Sequence, residues 1–260
     1  MAKYPGRVIK LGEADPKVIK AIKMQLNTRL NYQKVPALKL DVNDPSFDQS
    51  TRQAVKMFQA LNTDERGSPL VIDGEIGPLT WGILFGQKAV KHSGNPSSIL
   101  LREVLRVGRG EIGVREVPKN SNFGPRVEEY QALTATKGLA WCVSFVYWCF
   151  NTAAANMGRP NPMYKTAGVL NHWKRCESAG AARLPAHDAK DNPGLVKPGM
   201  IFVMDHGGGK GHTGLVEIVD SGFIRTIEGN TDASGANRDG GGVYEVERKI
   251  SSINTGFIAY

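Results

Sequence analysis

The residues best suited to chemistry in this chain are a cysteine and three polar residues that follow it. Cys142 stands where a short Gly-Leu-Ala segment meets an apolar run of helix length, within residues 138–149. At a helix N-terminus the unpaired N–H groups and the helix dipole favour a thiolate over a thiol. Because a thiolate is the attacking species in cysteine catalysis, this position predicts a nucleophile. Taken by itself, the run is equally compatible with a structural cysteine buried in a core helix.

The three polar residues are His212, Glu228 and Asn230, which stand at strand ends further along the chain. Apolar runs separated by glycine-containing turns predict a β-meander in this region. Its strands are expected at residues 199–205, 212–219 and 223–228. In an antiparallel pair the start of one strand lies beside the end of the next, so His212 can meet Glu228 and Asn230. A histidine base needs such a neighbour to fix its tautomer and orientation.

These residues belong to three motifs: Trp-Cys-x-x-Phe-Val-x-Trp, Gly-His-Thr-Gly-x-Val and Ile-Glu-Gly-Asn-Thr. The motifs, in this order, resemble those of the CHAP family of papain-like cysteine amidohydrolases, which cut peptidoglycan. The resemblance covers roughly residues 99–260. It implies that Cys142 is the nucleophile and His212 is the base. Glu228 would orient the base, and Asn230 matches a downstream amide position that can share this role in the family.

The resemblance predicts a Cys-His-Glu thioester mechanism. His212 would hold the sulfur of Cys142 as a thiolate, which attacks a substrate amide carbonyl. The imidazolium would protonate the departing amine, and water would then hydrolyse the thioester with His212 as base. The backbone N–H of Cys142 and a second, unidentified donor would hold the oxyanion. This chemistry needs no metal and no organic cofactor.

The other cysteines and histidines are interpreted as structural or solvent-exposed residues. Cys149 lies inside the predicted apolar helix, where burial raises a thiol pKa and makes the thiol inert. Cys176 has basic neighbours but no base partner, and an exposed or half-buried structural thiol is expected. His206 is assigned to a solvated turn, and His172 and His187 to the surface of a long segment, roughly residues 157–197, that follows no pattern. Paired histidines at zinc-site spacing do not occur in the sequence.

The N-terminal third contains an internal repeat of a turn followed by a helix. Residues 44–51 align with residues 73–80, and in each an Asp begins the turn and a Thr ends it. The Asp is expected to bond nearby backbone N–H groups, and Thr51 and Thr80 are expected to cap the following helices. Apolar spacing predicts three helices in this region, at residues 16–30, 52–61 and 81–90.

The second turn, Ile-Asp-Gly-Glu-Ile-Gly-Pro-Leu-Thr-Trp at residues 72–81, resembles the peptidoglycan-binding domain type 1 family. The resemblance covers roughly residues 17–86 and implies binding to the cell wall. In the first turn Pro45 replaces the expected glycine, so that copy is degenerate. The motif residues are interpreted as scaffold, because Asp73 and Thr80 fix turns and the glycines adopt backbone shapes that other residues resist. A small helical docking or dimerisation module is the alternative.

The predicted fold class is α+β. A three-helix peptidoglycan-binding bundle would occupy residues 1–86, and a polar linker residues 87–98. Residues 99–260 would form the CHAP-like catalytic domain, with helices packed on an antiparallel sheet and one helix starting at Cys142. A tethered wall-binding domain would raise the substrate concentration near the enzyme.

Composition narrows the possible partners and locations. The formal net charge is +8, but the basic residues are scattered, which argues against nucleic-acid binding. The three cysteines do not make a disulfide framework. No segment is apolar enough to span a bilayer, and the N-terminus has no signal-peptide core. The predicted partner is peptidoglycan, reached in the bacterial periplasm or cell wall through phage lysis, a contact-dependent secretion system or a signal that has been removed. The sequence does not indicate an oligomeric state.

The first functional hypothesis is therefore a peptidoglycan hydrolase. It would be an N-acetylmuramoyl-L-alanine amidase or an endopeptidase of the stem peptide or cross-bridge. A phage endolysin and an antibacterial toxin, the latter with an immunity or secretion partner, would look alike in sequence. The alternatives are a catalytically inactive wall-binding protein and a papain-like protease that acts on protein substrates.

Overall fold

The computed structural model describes residues 2–31, 39–90, 93–96, 98–235 and 240–260. The chain divides into two compact units. Unit 1 comprises residues 1–91 together with residues 191–194, and unit 2 comprises residues 92–190 and 195–260. The predicted α+β class is confirmed, since the described residues form eight α-helices and a six-stranded antiparallel sheet.

Unit 1 contains α1 (Pro16–Leu30), α2 (Gln49–Ala60) and α3 (Pro78–Phe85), followed by a 3₁₀ helix at Gln87–Ala89. Helix α1 packs against both α2 and α3. One apolar core joins them, and its largest fully buried side chains are Trp81, Phe47 and Phe58. The described part of unit 1 is therefore helical, while its assignment to the three-helix peptidoglycan-binding bundle remains a prediction.

Two of the helices in unit 1 begin earlier than their predicted threonine caps. Asp48 caps α2, because its side chain accepts a hydrogen bond from the backbone N–H of Thr51. Helix α3 begins at Pro78, whose fixed φ suits the first helical turn, with Gly77 as its N-cap residue. The expectation that Thr51 and Thr80 are N-caps is wrong, because an upstream Asp and an upstream Pro start the two helices.

The repeated turns form by the predicted hydrogen bonds. The Asp44 side chain accepts from the backbone N–H of Ser46 at 3.0 Å, and Asp73 accepts from the N–H of Glu75 at 2.8 Å. The buried Gln59 side chain supports the second turn by donating to the Asp73 carboxylate at 2.9 Å. Both aspartates therefore have a backbone role in their turns.

Unit 2 is built on a sheet with strand order β1-β6-β2-β3-β4-β5, in which each neighbouring pair is antiparallel. Its helices are α4 (Ile99–Gly110), α5 (Pro125–Ala132), α6 (Cys142–Asn156), α7 (Val169–Arg175) and α8 (Ala186–Asp191), of which only the last residue of α8 belongs to unit 1. Its strands are β1 (Ala182–Pro185), β2 (Ile201–Gly207), β3 (Lys210–Asp220), β4 (Phe223–Thr231), β5 (Gly242–Lys249) and β6 (Gly256–Ala259). The helix predicted to start at Cys142 and the predicted meander are both confirmed.

Helices α4 and α6 pack on the centre of this sheet through glycines that allow close approach. A Cβ on Gly229 of β4 would lie 2.7 Å from Phe145 Cβ and 2.7 Å from Trp141 Cζ3. A Cβ on Gly108 of α4 would lie 3.0 Å from Leu215 Cδ1. The missing side chain at Gly229 thus lets the first turn of α6 rest directly on β4.

The segment at residues 157–197, which follows no pattern in the sequence, has regular structure. It contains α7, a 3₁₀ helix at Cys176–Ala179, β1 and α8. Strand β1 pairs with β6 at one edge of the sheet, with Ala182 opposite Ala259. Strand β1 is short and lacks an apolar alternation, which explains why a sequence pattern did not reveal it.

The predicted linker at residues 87–98 lies partly outside the described residues, which omit Lys91, His92 and Ser97. Within the described part, the 3₁₀ helix covers Gln87–Ala89, and Ser93 exchanges backbone hydrogen bonds with Val219 at 2.9 and 2.8 Å. The linker assignment therefore stays a prediction. None of the described helices is both long and apolar enough to cross a membrane.

Candidate active site

Cys142 is the first residue of α6 and is 4% exposed. The residue before it, Trp141, is the N-cap and makes no side-chain capping hydrogen bond. Its carbonyl accepts the first intrahelical bond, from the N–H of Phe145. Because the first N–H groups of a helix have no intrahelical acceptor, the thiol stands at the positive end of the helix dipole.

The loop before α6 is held by one buried amide, that of Gln131. Its Nε2 donates to the carbonyls of Asn122 at 3.0 Å and Leu139 at 2.8 Å. Its Oε1 accepts from the N–H of Gly138 at 3.3 Å. Gly138 adopts φ +76°, a region that favours glycine, and the ring of Phe123 leaves no room for a side chain there. These contacts fix the path of the chain into Cys142.

The indole of Trp141 anchors the start of α6 from the other side. Its Nε1 donates to Glu116 Oε1 at 2.7 Å, and both side chains are buried. The ring also packs against Tyr130, with 5.6 Å between ring centroids, and against Phe145. Since Gly229 of β4 contacts the same indole, the helix start and the end of β4 are held together.

His212 and Glu228 lie on β3 and β4 and are 1% and 0% exposed. His212 Nε2 is 2.8 Å from Glu228 Oε2. A Cβ on Gly214 would lie 2.8 Å from Glu228 Cγ, so this glycine leaves the space through which the carboxylate reaches the imidazole. The structure thus brings together the histidine and the carboxylate that the antiparallel pairing predicted.

The thiol of Cys142 is the second partner of His212. Burial lowers the pKa of His212, but the nearby side chain of Cys142, the hydrogen bond with Glu228 and the charges of both outweigh it, and the pKa rises to about 9. Nε2 pairs with Glu228, whereas Nδ1, the other ring nitrogen, has no hydrogen-bond partner among the described residues. Sulfur is a large, weak hydrogen-bond acceptor, so the interaction of His212 with Cys142 is looser than its hydrogen bond with Glu228.

Arg248 of β5, which was not predicted from the sequence, also contacts Glu228. It donates hydrogen bonds to both carboxylate oxygens, with Nε 2.7 Å from Oε1 and Nη2 2.7 Å from Oε2. Thr226 donates a hydroxyl hydrogen bond to Oε1. Burial raises the pKa of Glu228, but the Arg248 and His212 contacts dominate and lower it to about 2. The carboxylate is therefore ionised while fully buried.

The sequence held an indirect signal for Arg248. In β5 the buried Val246 and Arg248 are alternate residues, and alternate residues of a strand share a face. An arginine on a buried face requires a carboxylate partner. The register, with Thr226 opposite Val246 and Ile224 opposite Arg248, identifies that partner only once the strands are paired.

Asn230 is buried near the end of β4 and adopts φ +59°. This left-handed conformation is one that asparagine tolerates better than most residues. It coincides with the irregularity in β4–β5 pairing between Glu228 and Thr231. Glu228 Oε2 accepts the orienting hydrogen bond from Nε2 of His212, and a share of Asn230 in this role stays a prediction.

The remaining cysteines and histidines differ in part from expectation. Cys149 is fully buried, which raises its pKa as predicted. Cys176 is also fully buried rather than exposed or half-buried, and its thiol donates to the carbonyl of Trp173 at 3.4 Å. His172 is not at the surface: it is buried on α7, its Nε2 is 2.9 Å from the Tyr260 hydroxyl, and burial lowers its pKa to about 4. His187 is exposed.

All three cysteines are free thiols. Within the described ranges, no group of three or more His, Cys, Asp or Glu side chains is placed to hold a metal ion. The arrangement that these ranges do contain is a thiol at a helix start, an imidazole and a buried carboxylate. It can generate a nucleophile and move a proton.

Comparison with known proteins places this arrangement in a family context. Residues 134–230 match the CHAP domain. The matched segment contains Cys142, His212, Glu228 and Asn230, whereas Arg248 lies outside it. No curated protein and no solved structure matches the chain.

The match supports a CHAP-domain protein, a type that is typically a cysteine- and histidine-dependent amidohydrolase or peptidase. It suggests peptidoglycan hydrolase or amidase activity with peptidoglycan as the substrate. The matched residues all lie in unit 2, apart from the short segment at residues 191–194.

Proposed function

We propose that this protein hydrolyses an amide bond of peptidoglycan with Cys142 as nucleophile, His212 as acid and base, and Glu228 as the residue that orients the imidazole. The observation that carries the proposal is the position of His212, which is hydrogen-bonded to a buried carboxylate and lies close enough to the thiol at the start of α6 for Cys142 to raise its pKa. A structural cysteine has no need of such a neighbour.

The reaction begins with attack of the Cys142 thiolate on the substrate amide carbon. A C–S bond forms, and the carbonyl π electrons move to oxygen. When the intermediate collapses, the C–N bond breaks and the leaving nitrogen takes the proton of the His212 imidazolium. Water then attacks the thioester and gives a proton to His212. The C–S bond breaks, and the products are a carboxylic acid and the regenerated thiolate.

The first turn of α6 supplies donors for the developing oxyanion. As the first residue of α6, Cys142 has a backbone N–H without an acceptor inside the helix, and we propose this N–H as an oxyanion donor. A preorganised N–H of this kind stabilises the charge that develops on the carbonyl oxygen. The bond cleaved is either the lactyl–alanine amide or an amide of the stem peptide or cross-bridge.

Unit 1 is proposed to hold the enzyme on the wall as a peptidoglycan-binding domain. The support is the pair of Asp-based turns and the helices that follow them. The proposed site of action is the bacterial periplasm or cell wall, reached by phage lysis or a contact-dependent secretion system. The basic net charge of +8 suits an anionic envelope.

The test is the solubilisation of purified sacculi by the wild type and by Cys142→Ala. We expect the variant to lose lysis while it still pellets with sacculi. Cys149→Ala is the matched control, because it removes a thiol from the same helix at a cost of roughly 1 kcal/mol of folding stability and leaves the nucleophile in place. Lysis by Cys142→Ala at the wild-type rate would eliminate the proposal.

Mass spectrometry of the released fragments separates the candidate bonds. A new carboxyl on the sugar lactyl group identifies an amidase, and new peptide termini identify an endopeptidase. Digestion of casein without digestion of purified wall would instead favour the protease alternative.

A further inference from the structure

We propose that Arg248 is a positioning residue of this site: it holds the Glu228 carboxylate, and through it the His212 imidazole, in the orientation that faces Cys142. The inference rests on the proposed Cys-His chemistry and adds to it a residue outside the segment that matches the CHAP domain.

The contact between Arg248 and Glu228 uses both carboxylate oxygens. The two N–O distances are equal at 2.7 Å, the geometry of a two-point guanidinium–carboxylate pair. Such a pair fixes the plane of the carboxylate as well as its position. Since Oε2 also receives Nε2 of His212 at 2.8 Å, the plane that Arg248 sets determines where the imidazole lies.

The guanidinium is itself held in place by two further contacts. Its Nη2 donates to the carbonyl of Gly235 at 2.9 Å, and its carbon lies 5.3 Å from the ring centroid of Phe202. The His212 ring lies 5.9 Å from the same phenylalanine. Phe202 is fully buried on β2 and therefore supports both the arginine and the histidine.

The charges of Cys142, His212 and Glu228 sum to zero only when Arg248 is added to them. A thiolate, an imidazolium and a carboxylate sum to one negative charge, and the guanidinium cancels it. The Arg248 side chain is 11% exposed and Glu228 is fully buried, so solvent screens this charge poorly. On β5, Tyr244 pairs with Glu228. The guanidinium of Arg115 lies over the Tyr244 ring in a cation–π contact, with 3.9 Å between its Cζ and the ring centroid.

Removal of the Arg248 guanidinium should make proton uptake by Cys142, His212 and Glu228 more favourable. A buried site that loses a positive charge binds protons more tightly. A carboxylate free to turn away from His212 also supports the imidazolium less, and the thiolate then loses its counter-ion. Both effects delay thiolate formation to higher pH.

The test measures alkylation of Cys142 by iodoacetamide as a function of pH, followed by mass spectrometry of the peptide that carries this residue. In Arg248→Met we expect the acid limb of the alkylation profile to move to higher pH by about one unit or more. Arg248→Lys keeps the charge but holds one oxygen at a time. Its acid limb should stay near the wild-type position, while sacculus hydrolysis falls roughly tenfold or more.

Arg225→Met is the matched control. Arg225 also pairs with a buried glutamate of this sheet, Glu217, with 3.1 Å between Nε and Oε2. It lies on β4. In the part of the chain that the structure describes, its hydrogen bonds and ion pairs do not include Cys142, His212 or Glu228. Its removal should leave the acid limb unchanged, which separates a specific effect from general damage to the sheet.

A double variant covers the case in which Arg248→Met does not fold. Arg248→Met combined with Glu228→Gln removes both members of the pair and avoids an unpaired buried charge. Because Arg248 acts through Glu228, the shift between this double variant and Glu228→Gln should be smaller than the shift between Arg248→Met and the wild type. If Arg248→Met does not fold, the acid limb of the double variant should lie less than about one pH unit above that of Glu228→Gln.

Three results would overturn the inference: an unmoved acid limb in folded Arg248→Met, an undiminished shift in the Glu228→Gln background, or full hydrolysis by Arg248→Lys. Alkylation requires no peptidoglycan, so the first two of these results are independent of the proposed substrate. A shifted limb in a protein that never cleaves wall would reject the proposed function alone.

Discussion

At the scale of single residues, the protonation of His212 should affect both the proposed general acid catalysis and the pH dependence of folding stability. Its pKa is raised from 6.5 to about 9 by Cys142 and Glu228, against the opposing effect of burial. A folded-state pKa above the unfolded value means that the imidazolium stabilises the folded protein fully below about pH 6.5. That contribution is lost as pH rises through about 9.

The alkaline limb of hydrolysis should therefore report this imidazole. We expect the rate of wall hydrolysis to fall as pH rises through about 9, because the neutral ring has no proton for the departing amine. A pH–rate profile on soluble muropeptides measures this limb. In Glu228→Gln the limb should move to lower pH, since the hydrogen bond and charge that raise the pKa are gone. A limb that stays in place in Glu228→Gln would contradict the assignment.

The motifs alone predicted where Cys142, His212 and Glu228 would lie. They did so because a nucleophile at a helix start and a base at a strand end are local features of the chain. Arg248 was not predicted, because its partner is determined by strand register rather than by a motif. His172 was misjudged for a similar reason: its burial depends on Tyr260, the last residue of the chain, which no nearby pattern connects to α7.

At the scale of elements, the decisive contact is the one between the first turn of α6 and β4. Gly229 permits it, because a Cβ there would lie 2.7 Å from both Phe145 Cβ and Trp141 Cζ3. The neighbouring Glu228 provides the carboxylate that binds His212, so the same strand positions the imidazole and packs against the helix that begins at Cys142. A change in this spacing acts directly on the distance between thiol and imidazole.

Gly229→Ala should therefore lower both folding stability and activity. Overpacking of this kind costs about 1–3 kcal/mol of folding free energy, because the helix or the strand must shift. The same shift separates Cys142 from His212, and a displacement near 1 Å can lower the rate by about a hundredfold. Chemical denaturation and hydrolysis of soluble muropeptides measure the two effects.

The control for this variant is Gly110→Ala at the end of α4. A Cβ there meets nothing within 4 Å, and Gly110 is a helical residue, so the change should be neutral or slightly stabilising. Equal loss of activity in both variants would argue against the helix–strand spacing as the cause.

Elements with strong periodicity were predicted well, and their boundaries less well. Helix α1 at Pro16–Leu30 follows its apolar spacing from end to end. The starts of α2 and α3 were placed too late, because Asp48 and Pro78 begin these helices upstream of the threonines. Strand β1 was missed, since its pairing with β6 joins residues far apart in the chain.

At the scale of the whole molecule, the chain path differs from a simple series of domains. Residues 191–194 belong to unit 1 although the residues on both sides belong to unit 2. Within unit 1, the N–H of Val8 donates to the carbonyl of Asp191 at 2.6 Å, and the N–H of Gly194 donates to the carbonyl of Gly6 at 2.9 Å. The sequence predicted consecutive domains, because the composition of residues 87–98 indicates a boundary. Nothing in the composition indicates that residues 191–194 belong with unit 1.

Removal of residues 1–91 tests the division of labour between the units. Turnover of small soluble muropeptides should survive, because Cys142, His212, Glu228 and Arg248 all lie in unit 2. Hydrolysis of intact sacculi should fall roughly tenfold or more, because the tether that raises local substrate concentration is gone. Residues 191–194 lose their hydrogen bonds to Gly6 and Val8, so a thermal melt must first show that the truncated protein is folded. In a folded truncation, an equal loss on soluble and insoluble substrates would mean that residues 1–91 contribute to catalysis itself rather than to wall binding.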